Sequence, residues 1–155
     1  MLETGSPAPD VLLEDARGRS LRLPALGDGG AALVYFMRST SCPVCNRHVQ
    51  DLVRSREEFA ASGVTVFLAV PEDRAAATAW KSKRGIPFPV LVGSAGAPHD
   101  AVGLGTRVFG AMRQSGSVLI DGLGIVRHAH GSTLPTSGYD RKGILAAVRE
   151  LRARV

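Results

Sequence analysis

The chain has 155 residues, enough for one domain with a substantial core. Hydrophobic residues make up 45% and charged residues 21%, as in an ordinary globular protein, and no apolar run is long enough to span a membrane as a helix. The net charge is +5, but the arginines are scattered and aromatics are only 5%, so no nucleic-acid-binding surface is indicated.

Residues 1–10 read as a polar lead-in held extended by Pro7 and Pro9. The start has neither a basic n-region nor an apolar h-region, so no signal peptide and a cytoplasmic address are expected. Val11-Leu12-Leu13 is a short strand, Asp15-Ala16-Arg17-Gly18 a turn, and Ser20-Leu21-Arg22-Leu23 an alternating second strand. Pro24 and Gly27-Asp28-Gly29-Gly30 break the chain before a buried strand at 31–37. Ser39, Thr40 and Ser41 suit a helix cap and Pro43 suits the first helical position, predicting a helix from about 42 to 61 that stops at Ser62-Gly63.

A second buried strand covers 64–70, and a helix runs from Asp73 to Arg84, stopped by Gly85 and Pro87 and packed through Trp80. Phe88–Val92 is a third strand. The stretch 93–97 is a loop, with weak helical turns around His99 to Val102, where His99 carries no signal of its own. Thr106 to Met112 reads as a bent strand or a loop. Ser117–Ile120 and Ile125–His130 form a hairpin about Asp121-Gly122-Leu123-Gly124. Ser132 to Gly138 is a loop, and Asp140 caps a last helix whose apolar face holds Ile144, Leu145, Ala147, Val148 and Leu151. The order strand–helix–strand–helix–strand, hairpin, helix predicts one α/β domain over 1–155, with a central mixed sheet flanked by helices.

The chemistry concentrates at Cys42-Pro43-Val44-Cys45, which opens a helix directly after a buried strand. The thiolate is the reactive form of cysteine, and a helix N-terminus favours it through unpaired N–H groups and the positive end of the macrodipole. Arg38, Arg47 and His48 add nearby positive charge. Cys42 is therefore read as the attacking thiol and Cys45 as the resolving one. Two inert core cysteines are an alternative, as is half of a zinc site, although a structural zinc site takes four ligands and there are no further cysteines. His128 and His130 lie two apart on a strand and so share a face, expected to be the solvent face of an edge strand.

This layout resembles the thioredoxin fold, and within it the peroxiredoxin branch that includes alkyl hydroperoxide reductase, the thiol-specific antioxidants and the bacterioferritin-comigratory type. The resemblance rests on Gly5–Asp10 with Asp15–Gly18, on Gly85–Leu91, and on Val118–Arg127, beside the cysteine pair. In the family's Pro-x-x-x-Thr-x-x-Cys pattern, aligned on Cys42, Ser39 takes the threonine position and Tyr35 the proline position, with Thr40 one residue late. The family's second arginine falls near Ser115, with Arg113 the nearest candidate.

The resemblance implies a thiol-dependent oxidoreductase that reduces hydroperoxides, using Cys42, Cys45, Thr40, Ser39 and Arg113. It implies no cofactor or metal, an external dithiol such as a thioredoxin as reductant, no nucleic-acid or membrane partner, and a monomer or homodimer. A disulfide reductase is the alternative, although the cis-proline expected before the hairpin of that class is absent from Gln114-Ser115-Gly116-Ser117. A copper or zinc binder using Cys42, Cys45 and a histidine is the alternative of another class.

Overall fold

The computed structural model describes residues 2–94, 96–104, 106–107, 112–132 and 139–153, with the backbone alone for 106–107, 112–113 and 132. The first two strands, β1 (Leu12–Glu14) and β2 (Ser20–Arg22), form a hairpin whose turn is held by Asp15. Its Oδ1 accepts the N–H groups of Arg17 and Arg19 at 2.9 and 3.0 Å. Strand β3 (Ala31–Phe36) is buried along its whole length, as its unbroken apolar run requires. Parallel to it lies β4 (Val64–Ala69), and parallel to that β5 (Val90–Gly93).

The expected single helix over 42–61 is two helices, α1 (Pro43–Arg54) and α2 (Arg56–Ala61). The break falls at Ser55, whose φ of −98° and ψ of 8° leave the helical region. Its N–H is shared between the carbonyls of Asp51 and Leu52 at 3.2 and 3.1 Å, and its hydroxyl accepts from Arg141 at 2.9 Å. A serine whose side chain is engaged from outside tolerates a tightened turn there better than a residue that only continues the helix. Helix α3 (Arg74–Arg84) starts and stops as the sequence indicates. Asp73 accepts from the N–H of Ala76, and Gly85 takes the left-handed conformation at φ 61°.

Two short strands, β6 (Thr106–Arg107) and β7 (Met112–Arg113), pair with each other apart from the main sheet. They resolve part of the stretch read as a bent strand or a loop; its remainder, like the expected loop over 133–138, lies outside the described residues. The closing hairpin is β8 (Ser115–Asp121) and β9 (Val126–Ser132), and the last helix is α4 (Arg141–Ala153), with Asp140 accepting from Gly143 N–H at 3.1 Å.

The main sheet runs β2-β1-β5-β4-β3-β8-β9, parallel at its centre and antiparallel on both flanks. Its two faces differ in cover. One packs Leu33, Tyr35, Met37, Leu68 and Leu119 against Val49 and Leu52 of α1, Phe59 of α2, Trp80 of α3 and Ile144 of α4. The other packs Ala32, Val34, Phe36, Val118 and Ile120 against Leu23 and Val102, from the 3-10 turns Leu23–Ala25 and Pro98–Val102, and against Leu104.

His128 does not face open solvent. It stands on the helix-covered face opposite Leu119 in the register, 3.9 Å from Asp140 at the start of α4. Burial pushes its pKa down, with Asp140 opposing that and His130 adding to it. His99 also departs from its reading as an uninformative loop residue. It is fully buried, lies edge-on to Phe36 with ring centroids 5.3 Å apart, and has Nε2 2.7 Å from the Met37 carbonyl.

Candidate active site

The chain leaves β3 at the centre of the sheet and must turn sharply to enter α1. Cys42 itself occupies the N-cap, with extended backbone at φ −69° and ψ 113°, and Pro43 follows at the first helical position. The cap is the cysteine sulfur: Cys45 N–H donates to Cys42 Sγ at 3.2 Å. This corrects the expectation that Ser39, Thr40 or Ser41 would cap the helix. The sulfur satisfies an N–H that no earlier turn can reach, and the bond strengthens if the sulfur is a thiolate. Cys42 is 3% exposed and Cys45 fully buried.

The hydroxyl residues have other partners. Thr40 donates through both its backbone N–H and its Oγ1–H to Glu72 Oε2, at 2.9 and 2.7 Å. Among the described residues its hydroxyl lone pairs stay free to accept a hydrogen bond. Ser39 Oγ lies 3.2 Å from Ser41 Oγ toward solvent, while its carbonyl accepts Cys42 N–H at 3.3 Å. Asn46 ties the turn to the helix: its Nδ2 donates to the carbonyls of Thr40 and Cys42, both at 2.9 Å, and its Oδ1 accepts from Trp80 Nε1 at 3.0 Å. The core reading of Trp80 holds, and its indole N–H finds the partner that a buried indole needs.

Cys42, Cys45 and Thr40 thus come together around one turn, and Ser39 stands beside them facing outward. Arg113 contributes its backbone to β7, while its side chain lies outside the described residues. Glu72 and Asn46 were not among the sequence candidates. Asn46 did leave a signal, as a polar side chain four residues after Cys42 on the stripe that Val49 continues.

The two thiols differ. Burial pushes the Cys45 thiol up to about 11, and the adjoining Cys42 thiol adds to this. The Arg38 backbone N–H and the Tyr35 hydroxyl pull the other way without cancelling it. Cys45 is therefore held protonated at neutral pH.

Tyr35, which takes the proline position of the family pattern, has a chemical setting that the sequence does not show. It points from β3 to the cysteine face, fully buried, with its hydroxyl 2.9 Å from His48 Nδ1. Burial raises its pKa well above the usual tyrosine value, and the Cys45 and Cys42 thiols beside it push in the same direction. His48 stacks on Tyr139, with centroids 4.9 Å apart and planes 30° apart. Tyr139 donates to Asp51 Oδ2 at 2.7 Å, and Arg141 donates to the same oxygen at 2.8 Å. Among the described residues no three histidine, cysteine or acidic side chains cluster so as to hold a metal ion.

Residues 4–129 match the model of the AhpC/TSA family. The chain belongs to the AhpC/TSA family. Among its curated relatives is the chloroplastic peroxiredoxin Q of rice (Oryza sativa subsp. japonica), 26% identical over 128 residues, which cover 83% of this chain and 58% of that protein. The chain therefore spans less than two thirds of that relative's length. The thiol:disulfide interchange protein DsbE of Yersinia pestis is 30% identical over 140 residues, covering 86% of this chain and 69% of that protein. Of solved structures, peroxidoxin BcpB from Mycobacterium tuberculosis superposes with a TM-score of 0.77 at 20% identity, covering 99% of this chain and 98% of that one. The bacterioferritin comigratory protein of Xanthomonas campestris gives 0.74 at 19% identity, covering 97% and 99%. These superpositions establish the thioredoxin-like architecture expected from the sequence. Among the described residues no helix is long and apolar enough to cross a membrane.

Proposed function

We propose that this AhpC/TSA family member is a thiol peroxidase in which Cys42 attacks and Cys45 resolves. The observation that carries the reading is the Cys42 sulfur capping α1, with the buried Cys45 thiol beside it. The Cys42 thiolate attacks the O–O bond of a hydroperoxide, becoming a sulfenic acid and releasing an alcohol or water once the leaving oxygen takes a proton. Thr40, whose lone pairs are left open by its bonds to Glu72, accepts from the hydroperoxide O–H, with Ser39 at the rim and Arg113 supplying positive charge toward the leaving oxygen. Cys45 then closes an intramolecular disulfide. An external dithiol such as a thioredoxin reduces it, in a reducing compartment such as the cytosol, with the protein acting as a monomer or homodimer and without a cofactor.

The likeness to the interchange protein favours a second reading, in which Cys42 attacks a protein disulfide instead. Tyr35 in the position of the peroxidase proline is consistent with that. One pair of assays separates them: consumption of hydrogen peroxide with and without a dithiol, and reduction of insulin disulfides. Dithiol-dependent peroxide turnover with negligible insulin reduction is the expected result, and the reverse outcome transfers the function to the second reading.

A further inference from the structure

The resolving step has an unmet requirement on either reading. Cys45 must attack as a thiolate, yet it is fully buried and its thiol is held protonated. A proton has to leave it, and Cys45 has no path of its own to water.

Register and helix geometry place a route beside it. Cys45 and His48 are three residues apart on α1 and so share one helix face. Tyr35 rises from β3 beneath that face, with its hydroxyl beside the Cys45 sulfur and 2.9 Å from His48 Nδ1. His48 is only half-buried, so it reaches solvent where Cys45 does not.

We propose that Tyr35 and His48 form a proton relay that takes the proton of Cys45 when this cysteine attacks sulfur on Cys42. This rests on the roles assigned to the two cysteines above. In the step, Cys45 S–H passes its proton to the Tyr35 oxygen as the Tyr35 proton passes to His48 Nδ1. Tyr35 ends as a neutral phenol donating to the new thiolate, and His48 ends as an imidazolium. The thiolate forms the S–S bond to Cys42 as the bond from Cys42 to its leaving group breaks. From a sulfenic acid that group departs as hydroxide and takes up a proton to become water. From a mixed disulfide it departs as a thiolate.

The surroundings of His48 suit a group that alternates between both charge states. Burial and, less strongly, Arg47 lower its pKa, so it is neutral and able to accept a proton at pH 7, while Asp51 opposes that shift. The Tyr139 ring stacked on it gives an imidazolium an aromatic face, and Arg141 of α4 is occupied by Asp51. The histidines on β9 lie on the same sheet face, His128 beside Asp140 and His130. His48 is a positioning and proton-accepting residue that acts through Tyr35, and Tyr35 touches the reacting thiol.

The test uses excess 5,5′-dithiobis(2-nitrobenzoate), whose nitrothiobenzoate anion is read at 412 nm. Cys42 releases one anion as it forms a mixed disulfide, and Cys45 releases a second as it closes the internal disulfide. Cys45→Ser identifies the first phase. Tyr35→Phe and His48→Gln are expected to slow the second phase about a hundredfold at pH 7, the lower range for loss of a general base, and to leave the first within a few-fold. The pH profile is the decisive readout. The wild-type second phase rises as His48 loses its proton and then levels off, whereas Tyr35→Phe rises about tenfold per pH unit toward the titration of Cys45 itself. A second phase changed less than threefold in both variants, with the wild-type pH profile kept, overturns the relay. Equal slowing of both phases also overturns it, as the pair would then serve only the fold. No peroxide enters this assay, so failure of the peroxidase reading and failure of the relay are seen separately. A peroxide arm, with dimedone trapping of the sulfenic acid followed by mass, is expected to show that acid accumulating in Tyr35→Phe.

Discussion

The two faces of the main sheet start from the same strands and end with different work. On β3, Leu33 and Tyr35 point to the helix-covered side, as does Met37 just past its end, and Ala32, Val34 and Phe36 point to the other. The first side gathers both cysteines, the Tyr35 hydroxyl, His48 and Asn46; Tyr35 meets His48 by a hydrogen bond, and His48 stacks on Tyr139, whose hydroxyl and Arg141 both donate to Asp51. The second is an apolar layer whose buried imidazole, His99, is anchored to the Met37 carbonyl. A buried polar group is costly unless its partners are supplied. On one face polar side chains from the strand and from two helices meet around the cysteines, and on the other an imidazole bonded to the Met37 carbonyl holds a turn. The lesson is that chemistry and stability should separate by face.

Cys42→Ser tests this most severely. It is expected to abolish both peroxide turnover and the first nitrothiobenzoate release while leaving the urea midpoint almost unmoved. Residual dithiol-dependent turnover would remove Cys42 from the attacking role. Phe36→Ala is the mirror experiment on the opposite face. Phe36 is fully buried, and the truncation should cost about 3–5 kcal/mol in urea denaturation. The rate of Cys42 alkylation at temperatures where the variant is folded should stay within a few-fold of wild type. A tenfold change in that rate would mean that the faces are coupled.

Arg113→Ala tests the charge that the proposed peroxidase reading assigns beside Cys42. If Arg113 supports charge on the leaving oxygen, peroxide reduction should fall about a hundredfold to a thousandfold, equivalent to roughly 2.7–4 kcal/mol, with insulin reduction unchanged. An unchanged peroxide rate would pass that role to Arg38 or Arg107.

The smallest effect belongs to the opposite end of β3 from the cysteines, where Asp121 stands across from Ala31. Asp121 accepts from the N–H groups of Leu123 and Ile125 at 2.9 and 3.0 Å and pairs with Arg127 at 2.7 Å. Burial alone would raise its pKa, but these donors and the Arg127 charge outweigh it, so the folded value lies below the ordinary one. The stabilisation is therefore present above the unfolded value, near 3.9, and is lost as pH falls through the folded value. Asp121→Asn should cost about 1.5–3 kcal/mol at pH 7, the range for hydrogen bonds to a charged group. The gap to wild type should shrink below about pH 4. A gap of the same size at pH 7 and pH 3 would show that the carboxylate charge is not its source.

Much of the architecture was legible because its signals are local. The apolar run ending at Met37, the Asp73 cap with the Gly85 stop, and the Asp121–Gly124 turn each hold within a few residues, where sterics and nearest-neighbour hydrogen bonds decide. Ser55 was illegible because the hydroxyl that marks the break is held by Arg141, far along the chain. His99 carries no local signal, because the Met37 carbonyl it bonds lies 62 residues away.

The site divides along the same line. The cysteine spacing, the proline at the first helical turn and the strand before it determined that Cys42 would stand at a helix N-terminus with Cys45 one turn inside, since both are properties of a single turn. Only the tertiary structure decided that the sulfur is the cap, that Glu72 takes both donors of Thr40, and that Tyr35 lies under Cys45 within reach of His48. Tyr35 and His48 are thirteen residues apart on a strand and a helix. Their contact depends on how α1 settles on β3, and that is set by the whole apolar layer between them.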